Sequence, residues 1–165
     1  KSVFKYAQLF RIVDIDLCAR CALACAQDAS ASSPSLLRQA RKYVRTLERE
    51  RLLWADALAC NLRAAIAHLQ GHLDEAANGW ERAARLFEGA DMRAHAAVAR
   101  RRQGQVVGGD AGRALVTAAE LFMRKEGINS PARWTAMFAP AKGLENAVAI
   151  IDYNRWQATQ LTNLW

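Results

Sequence analysis

Between Leu73 and Phe87 the apolar positions fall on one side of a helical wheel: Leu73, Ala76, Ala77, Trp80, Ala83, Ala84 and Phe87. That spacing marks an amphipathic α-helix and predicts one over about Leu73 to Glu88. Upstream, Leu52, Ala55, Ala59, Leu62, Ile66 and Leu69 predict a helix over about Leu52 to Gln70, with Gly71 placed to end it in a left-handed conformation. Leu37, Ala40, Val44 and Leu47 mark another from Pro34 to about Glu50. Ser33 is its N-cap, after an Ala/Ser-rich loop from Asp28 to Pro34. The first helix spans about Val3 to Gln27, where Tyr6, Phe10, Val13, Leu17, Cys21 and Ala24 recur at helical spacing. Asp16 and Arg20 stand one turn apart on it and can pair.

Downstream, a helix over about Asp91 to Val107 is stopped by Gly108 and Gly109. Asp110 is placed to cap a sixth helix, which carries Ala111, Ala114, Leu115, Ala118 and Phe122 and ends at Gly127. Asn129 or Ser130 with Pro131 starts a short helix to about Phe138, and Pro140 closes it. Val, Ile and Thr are scattered instead of alternating, while alanine, the best helix former, is the commonest residue. The chain is therefore expected to be all-α. Short connections between helices of this length give antiparallel neighbours, so the six longer helices read as three hairpins.

Repeated hairpins invite a search for a period. With Gly71 aligned to the turn between two helices, Leu73, Ala76, Trp80 and Ala83 supply a large apolar, a small, an aromatic and a small residue in order. The stretch Gln70-Gly71-His72-Leu73-Asp74-Glu75-Ala76-Ala77 resembles the turn and second-helix start of a tetratricopeptide repeat (TPR), a helical hairpin of about 34 residues. Gly109 and Ala114 give a poorer second copy, and the first hairpin is degenerate.

The chain has 165 residues, enough for one domain with a sizeable core, and a net charge of +7 led by arginine. With 9 Gly and 3 Pro it is neither collagen-like nor broadly disordered. Charges interrupt every apolar stretch well short of the ~18 residues a membrane span requires, so no membrane partner is expected. It starts at Lys1, with no charged and apolar leader after it, and reads as a piece of something longer. Four cysteines without a secretion signal fit a reducing cytosol.

No residue group converges on a chemistry. Cys18, Cys21 and Cys25 share a helix face, but a fourth metal ligand must be imported and only Cys60 is another cysteine. Packing as small hydrophobes explains the same spacing. His68, His72 and His95 form no His-Glu-x-x-His arrangement and read as surface or groove residues. The glycines from Gly104 to Gly112 lack the Lys-Ser/Thr ending of a phosphate loop. Arg38, Arg41, Lys42, Arg45 and Arg49 lie opposite the apolar stripe of their helix as a solvated face. Arg100, Arg101 and Arg102 are read the same way, since one helix face cannot bury three successive cations. No aromatics interleave with these arginines, so nucleic acid is not an expected partner. Trp54, Trp80 and Trp134 fit core or inter-helix packing.

Four stretches carry a closer resemblance: Leu17-Cys18-Ala19-Arg20-Cys21-Ala22-Leu23-Ala24; Leu47-Glu48-Arg49-Glu50-Arg51-Leu52-Leu53-Trp54-Ala55-Asp56-Ala57-Leu58; Gly89-Ala90-Asp91-Met92 continuing to Arg100-Arg101-Arg102-Gln103-Gly104; and Gly127-Ile128-Asn129-Ser130-Pro131-Ala132-Arg133. Over roughly residues 10 to 141 the chain resembles the helical C-terminal region of large bacterial serine/threonine protein kinases and related ATPase-containing regulators. In that family the chain typically ends just after the equivalent of Ala139-Pro140. The resemblance is to a non-catalytic region and implies no active-site residue; the kinase Gly-rich and catalytic-loop motifs are absent from this sequence.

These readings give a TPR-like α-solenoid over residues 1–141, of about three hairpins plus a short capping helix, and a tail over residues 142–165. The tail is either a native extension or added sequence, and as an amphipathic segment it can set Val148, Ile151 and Trp156 on an exposed end of the array. First helices of such hairpins line a concave surface, here drawing on Leu58, Asn61, Ala65, His68, Met92, His95, Ala99 and Arg102. Asn, His and Arg in that lining suit a peptide with acidic or amide groups. The expected function is non-catalytic protein interaction or sensing, with no cofactor and no metal, as the C-terminal module of a bacterial signalling protein. Its partner is a protein, a peptide or other domains of the parent. Small-molecule sensing, and homo-oligomerisation through the array ends or the tail, are the alternatives.

Overall fold

The computed structural model describes residues 2–28 and 33–141. They form α1 (Ser2–Asp28), α2 (Ser33–Arg49), α3 (Leu53–Leu69), α4 (Leu73–Gly89), α5 (Arg93–Val107), α6 (Gly109–Lys125) and α7 (Pro131–Phe138), with no strand among them. The expected all-α class is observed. The loop at 29–32, the side chains of Tyr6 and Ser33, and the tail with Val148, Ile151 and Trp156 lie outside the described residues. Each helix from α1 to α6 packs on its successor, α1 also reaches α3, and α7 packs on α5 and more lightly on α6. Among the described residues no helix is long and apolar enough to cross a membrane.

The same turn ends three of the helices. After α3, the His72 N–H reaches back to the Ala67 carbonyl and Gly71 to His68; after α4, Met92 reaches Phe87 and Asp91 reaches Glu88; after α6, Ile128 reaches Met123 and Gly127 reaches Arg124. This paired six-to-one and five-to-two bonding satisfies carbonyls that a helix end leaves open, and it needs a left-handed residue just past the helix. Gly71 and Gly127 supply it, and Asp91 does so at φ 58°, one of the few non-glycine types that tolerate it. The helix expected from Asp91 therefore starts at Arg93, because Asp91 is spent on the turn. Nor does Asp110 cap α6: Gly108 holds the N-cap position, and Asp110 sits in the first turn paired with Arg113.

Small residues let neighbouring helices close. A Cβ on Gly79 would lie 2.9 Å from the Ala64 Cβ, so α3 and α4 approach more nearly than any larger pair permits. Gly104 and Gly112 play that part between α5 and α6, where a Cβ on Gly104 would meet the Gly112 carbonyl oxygen at 2.6 Å. Of the glycines that superficially suggest a phosphate loop, these two are a helix contact, while Gly108 and Gly109 turn the chain between the helices with positive φ. Central α3 is buried on most sides, and Trp80 and Phe87 of α4 fill the space beside it.

The face of α1 that enters the core is not the one outlined by Phe10, Val13, Leu17 and Cys21. Phe10 is 65% exposed and Val13 46%, while Ile12, Asp16, Ala19, Leu23 and Ala26 are buried. Those five recur at i, i+4, i+7, i+11 and i+14, a proper helical stripe with a carboxylate in the middle of it. Cys18 and Cys25 are accordingly exposed and not core residues, and none of the four cysteines is in a disulfide.

Candidate functional site

The stripe on α1 places Asp16 and Arg20 under the rest of the molecule. Arg20 Nε donates to Asp16 Oδ2 at 2.8 Å, with both side chains almost wholly buried. Burial pushes the Asp16 carboxyl above its usual range, opposed by the charge and hydrogen bond of Arg20. A buried pair of this kind is held in place only if its remaining donors find acceptors. Arg20 finds one outside its own helix: Nη1 donates to the Met137 carbonyl at 2.8 Å.

That bond is the first of three. Asn61 Nδ2 on α3 donates to the Phe138 carbonyl at 2.9 Å, and Arg102 Nε on α5 donates to the Ala139 carbonyl at 2.7 Å. Three helices, α1, α3 and α5, thus each supply one donor to three consecutive carbonyls of a strap running out of α7. Arg102 is fully buried and also holds Gln105 Oε1 at 2.9 Å. Beyond the clasp, Ala139, Pro140 and Ala141 are buried, with Ala141 reaching the main core and Ala139 the smaller cluster around Met123.

Phe138 anchors the strap. Its ring lies 4.7 Å from His95 in an edge-on contact, 4.9 Å from Trp134, and 4.9 Å from the Arg20 guanidinium carbon. These are favourable geometries for an aromatic quadrupole. His95 is backed on its other side by Phe87 at 5.4 Å. Burial, and then the charge of Arg20, pull the imidazole down to about 4, so it is neutral here at physiological pH. Asn61 uses only half its amide: its Oδ1 is shut off from solvent and accepts no hydrogen bond.

Of the residues expected to line a concave surface, Asn61, His95 and Arg102 meet around Phe138 and Ala139. His68 lies further along, tilted against Trp80 at 5.7 Å, its pKa lowered by burial and by Arg102. Leu58, Ala65 and Ala99 are buried in the core, and Met92 packs against its edge. The strap lies against Asn61, His95 and Arg102 of that set. Arg20, Asp16 and Phe138 belong to the site but were not singled out by the sequence for it; the i, i+4 spacing of Asp16 and Arg20 showed a pair without showing that the pair is buried.

The arginine run departs from the expected solvated face. Only Arg100 keeps partial exposure, paired with Glu88 at 2.5 Å, whereas Arg101 and Arg102 are buried. Burial is tolerated because Arg101 meets Glu120 of α6 at 2.9 Å and Arg102 meets the strap. On α2, by contrast, Arg38, Lys42, Arg45 and Arg49 are exposed, and Arg41 reaches Gln70 at 2.8 Å. A cleft of about 660 Å³ lies over α5 between the end of α4 and α6, with Arg93 stacked on Phe122 at 5.4 Å beside it. Among the described residues no three His, Cys, Asp or Glu side chains converge to hold a metal ion. Burial pushes the Cys60 thiol up, away from the reactive thiolate. No protein-family model, curated protein or solved structure matches the chain.

Proposed function

We propose that this chain is a non-catalytic protein-interaction module that holds polypeptide main chain on the face shared by α1, α3 and α5. In this reading it is a TPR-like array of three hairpins closed by α7, and it serves as the C-terminal part of a larger bacterial signalling protein of the serine/threonine kinase type. The observation that carries it is the set of donors from Arg20, Asn61 and Arg102 on three consecutive main-chain carbonyls. Side-chain donors on alternate helices that meet carbonyls left open at the end of α7 can hold main chain without regard to most of its side chains. The recurring helix-ending turn and the glycine contacts between helices support the repeat architecture. The four stretches similar to kinase C-terminal regions support the parentage.

The test is a titration of this chain against the remainder of its parent reading frame, expressed separately, by isothermal calorimetry. Saturable micromolar binding to a parent that carries a kinase domain is the expected result. A parent with no signalling domain removes the parentage, and no binding to it or to any peptide removes the interaction reading. A second reading, assembly of copies through the end of the array, is favoured by Leu9, Phe10 and Val13, which are exposed on the first turns of α1.

A further inference from the structure

We infer that the outer face of α2 is a second docking surface, fitted to an acidic helical segment of another protein. Arg38, Arg41, Lys42, Arg45 and Arg49 recur on it at i, i+3, i+4, i+7 and i+11, a stripe roughly 16 Å long. Leu37, Ala40, Val44 and Leu47 take the opposite side of the helix to the core. Elsewhere arginines meet carboxylates, as Arg11 does Glu50, Arg85 Glu81 and Arg100 Glu88. Among the described residues no carboxylate forms an ion pair with any of the five cations on α2. The acid that α2 itself carries, Glu48, is taken by Arg63 of α3. Like charges one turn apart on a helix repel, so the stripe does not serve the fold.

Beside the stripe a pocket of about 300 Å³ opens between α2 and α3, bordered by Arg41, Arg45 and Arg63 and given an apolar lining by Val44, Ile66 and Ala67. Arg41 is held across it by its hydrogen bond to Gln70 at 2.8 Å. Glu75 is the acid among the lining residues, and it lies 3.5 Å from His72, so the three guanidiniums leave the pocket positive. Positive charge repeating every turn, beside room for one apolar side chain, matches a helix with carboxylates at every fourth residue and an apolar residue next to them. A nucleic-acid strand needs aromatic faces to stack on, and Tyr43 packs against the core with its hydroxyl accepting from Gln39. An anionic lipid surface needs apolar anchors beside the cations, and none of the exposed large apolar residues lies on α2. A second copy offers no matching stripe: its acids outside ion pairs, Asp14, Asp56, Asp74, Asp91 and Glu126, sit on different elements. The occupant is therefore an acidic segment of a different protein.

The test uses the full chain at physiological salt and a fluorescein-labelled peptide of four Glu-Leu-Ala-Ala repeats, read by fluorescence anisotropy. Saturable binding is expected. Arg45→Glu, in the middle of the stripe, should weaken it at least about tenfold, and Arg45→Gln about threefold. Arg45 is exposed, so both variants should melt no lower than the wild type. Arg85→Glu on α4 changes the net charge as much as Arg45→Glu does, and should leave binding within about twofold of the wild type. Replacing the peptide's leucines by alanine should weaken binding about tenfold, the effect of losing one buried apolar side chain. Equal weakening by Arg45→Glu and Arg85→Glu overturns the inference, because it shows attraction to the net charge alone. Absence of binding overturns it, as does unchanged affinity for the alanine peptide. Tighter binding to a DNA duplex, or to phosphatidylserine vesicles, than to the peptide gives the stripe to that partner and overturns it too.

Discussion

His95 shows how the strap changes a single group. Held between Phe87 and Phe138 and faced by Arg20, its imidazole drops from an ordinary 6.5 to about 4. As pH falls through 6.5 the unfolded chain takes up a proton that the folded chain refuses until about 4. The stabilisation tied to His95 is therefore complete above pH 6.5 and is lost progressively toward pH 4, by about 3 kcal/mol across the window. His95→Phe keeps a ring against Phe138 and removes the titration. In urea unfolding the wild type should lose about 3 kcal/mol more than this variant between those two pH values. Asp16 acts in the opposite sense, its carboxyl being raised, but it is present in both proteins and cancels in the difference. Equal slopes would mean that His95 protonates within the folded chain, and that Phe138 does not seal it.

At the scale of helices, glycine carries opposite signs at different places. Gly104 lies inside α5, where alanine has the better intrinsic propensity by about 1 kcal/mol. Its Cβ would nevertheless meet the Gly112 carbonyl at 2.6 Å and the Leu115 Cβ at 2.9 Å, and a backbone oxygen cannot rotate aside. Gly104→Ala should lower stability by about 1–3 kcal/mol. Gly89→Ala, with only a Leu53 methyl at 3.4 Å, should raise it by up to about 1 kcal/mol. Thermal unfolding of the two variants checks the pair; a gain at Gly104 would mean α5 and α6 separate at little cost. The helices themselves were legible because apolar spacing survives wherever the polar side faces water, as in α4. It misled on α1, where the buried stripe includes Asp16 and Arg20 while Phe10 and Val13 stay outside. Periodicity reads polarity, not burial, so a paired carboxylate and guanidinium look like surface. The same blindness hid Arg101 and Arg102, whose partners come from α6 and from the strap. Asn61, His95 and Arg102 were expected on one lining, and all three meet the end of α7. What lies against them was not legible, since the strap depends on a contact between residues 117 apart.

For the whole molecule, the last helix and the first are finished differently. At the C-terminal end, α7 and the strap lie over α5 and tie it to α1 and α3 through Phe138 and its neighbours. At the other end α1 leaves Leu9, Phe10 and Val13 exposed on adjacent turns, beside an Arg11–Glu50 ion pair at 2.7 Å. Apolar side chains grouped in this way, rimmed by charge, are what an interface looks like before its partner arrives. Assembly through α1 predicts a mass that rises with concentration in light scattering, and Phe10→Ser should return the chain to a monomer without lowering its melting temperature, because Phe10 is 65% exposed. Deleting residues 143–165 separates two ways of covering the patch. If the tail covers α1 of its own chain, deletion should lower the melting temperature and increase association; if a second copy covers it, association should persist unchanged. A monomer at every concentration, with and without the tail, would remove the exposed face of α1 as an assembly site and leave the clasped face and the basic face of α2 as the interaction surfaces proposed.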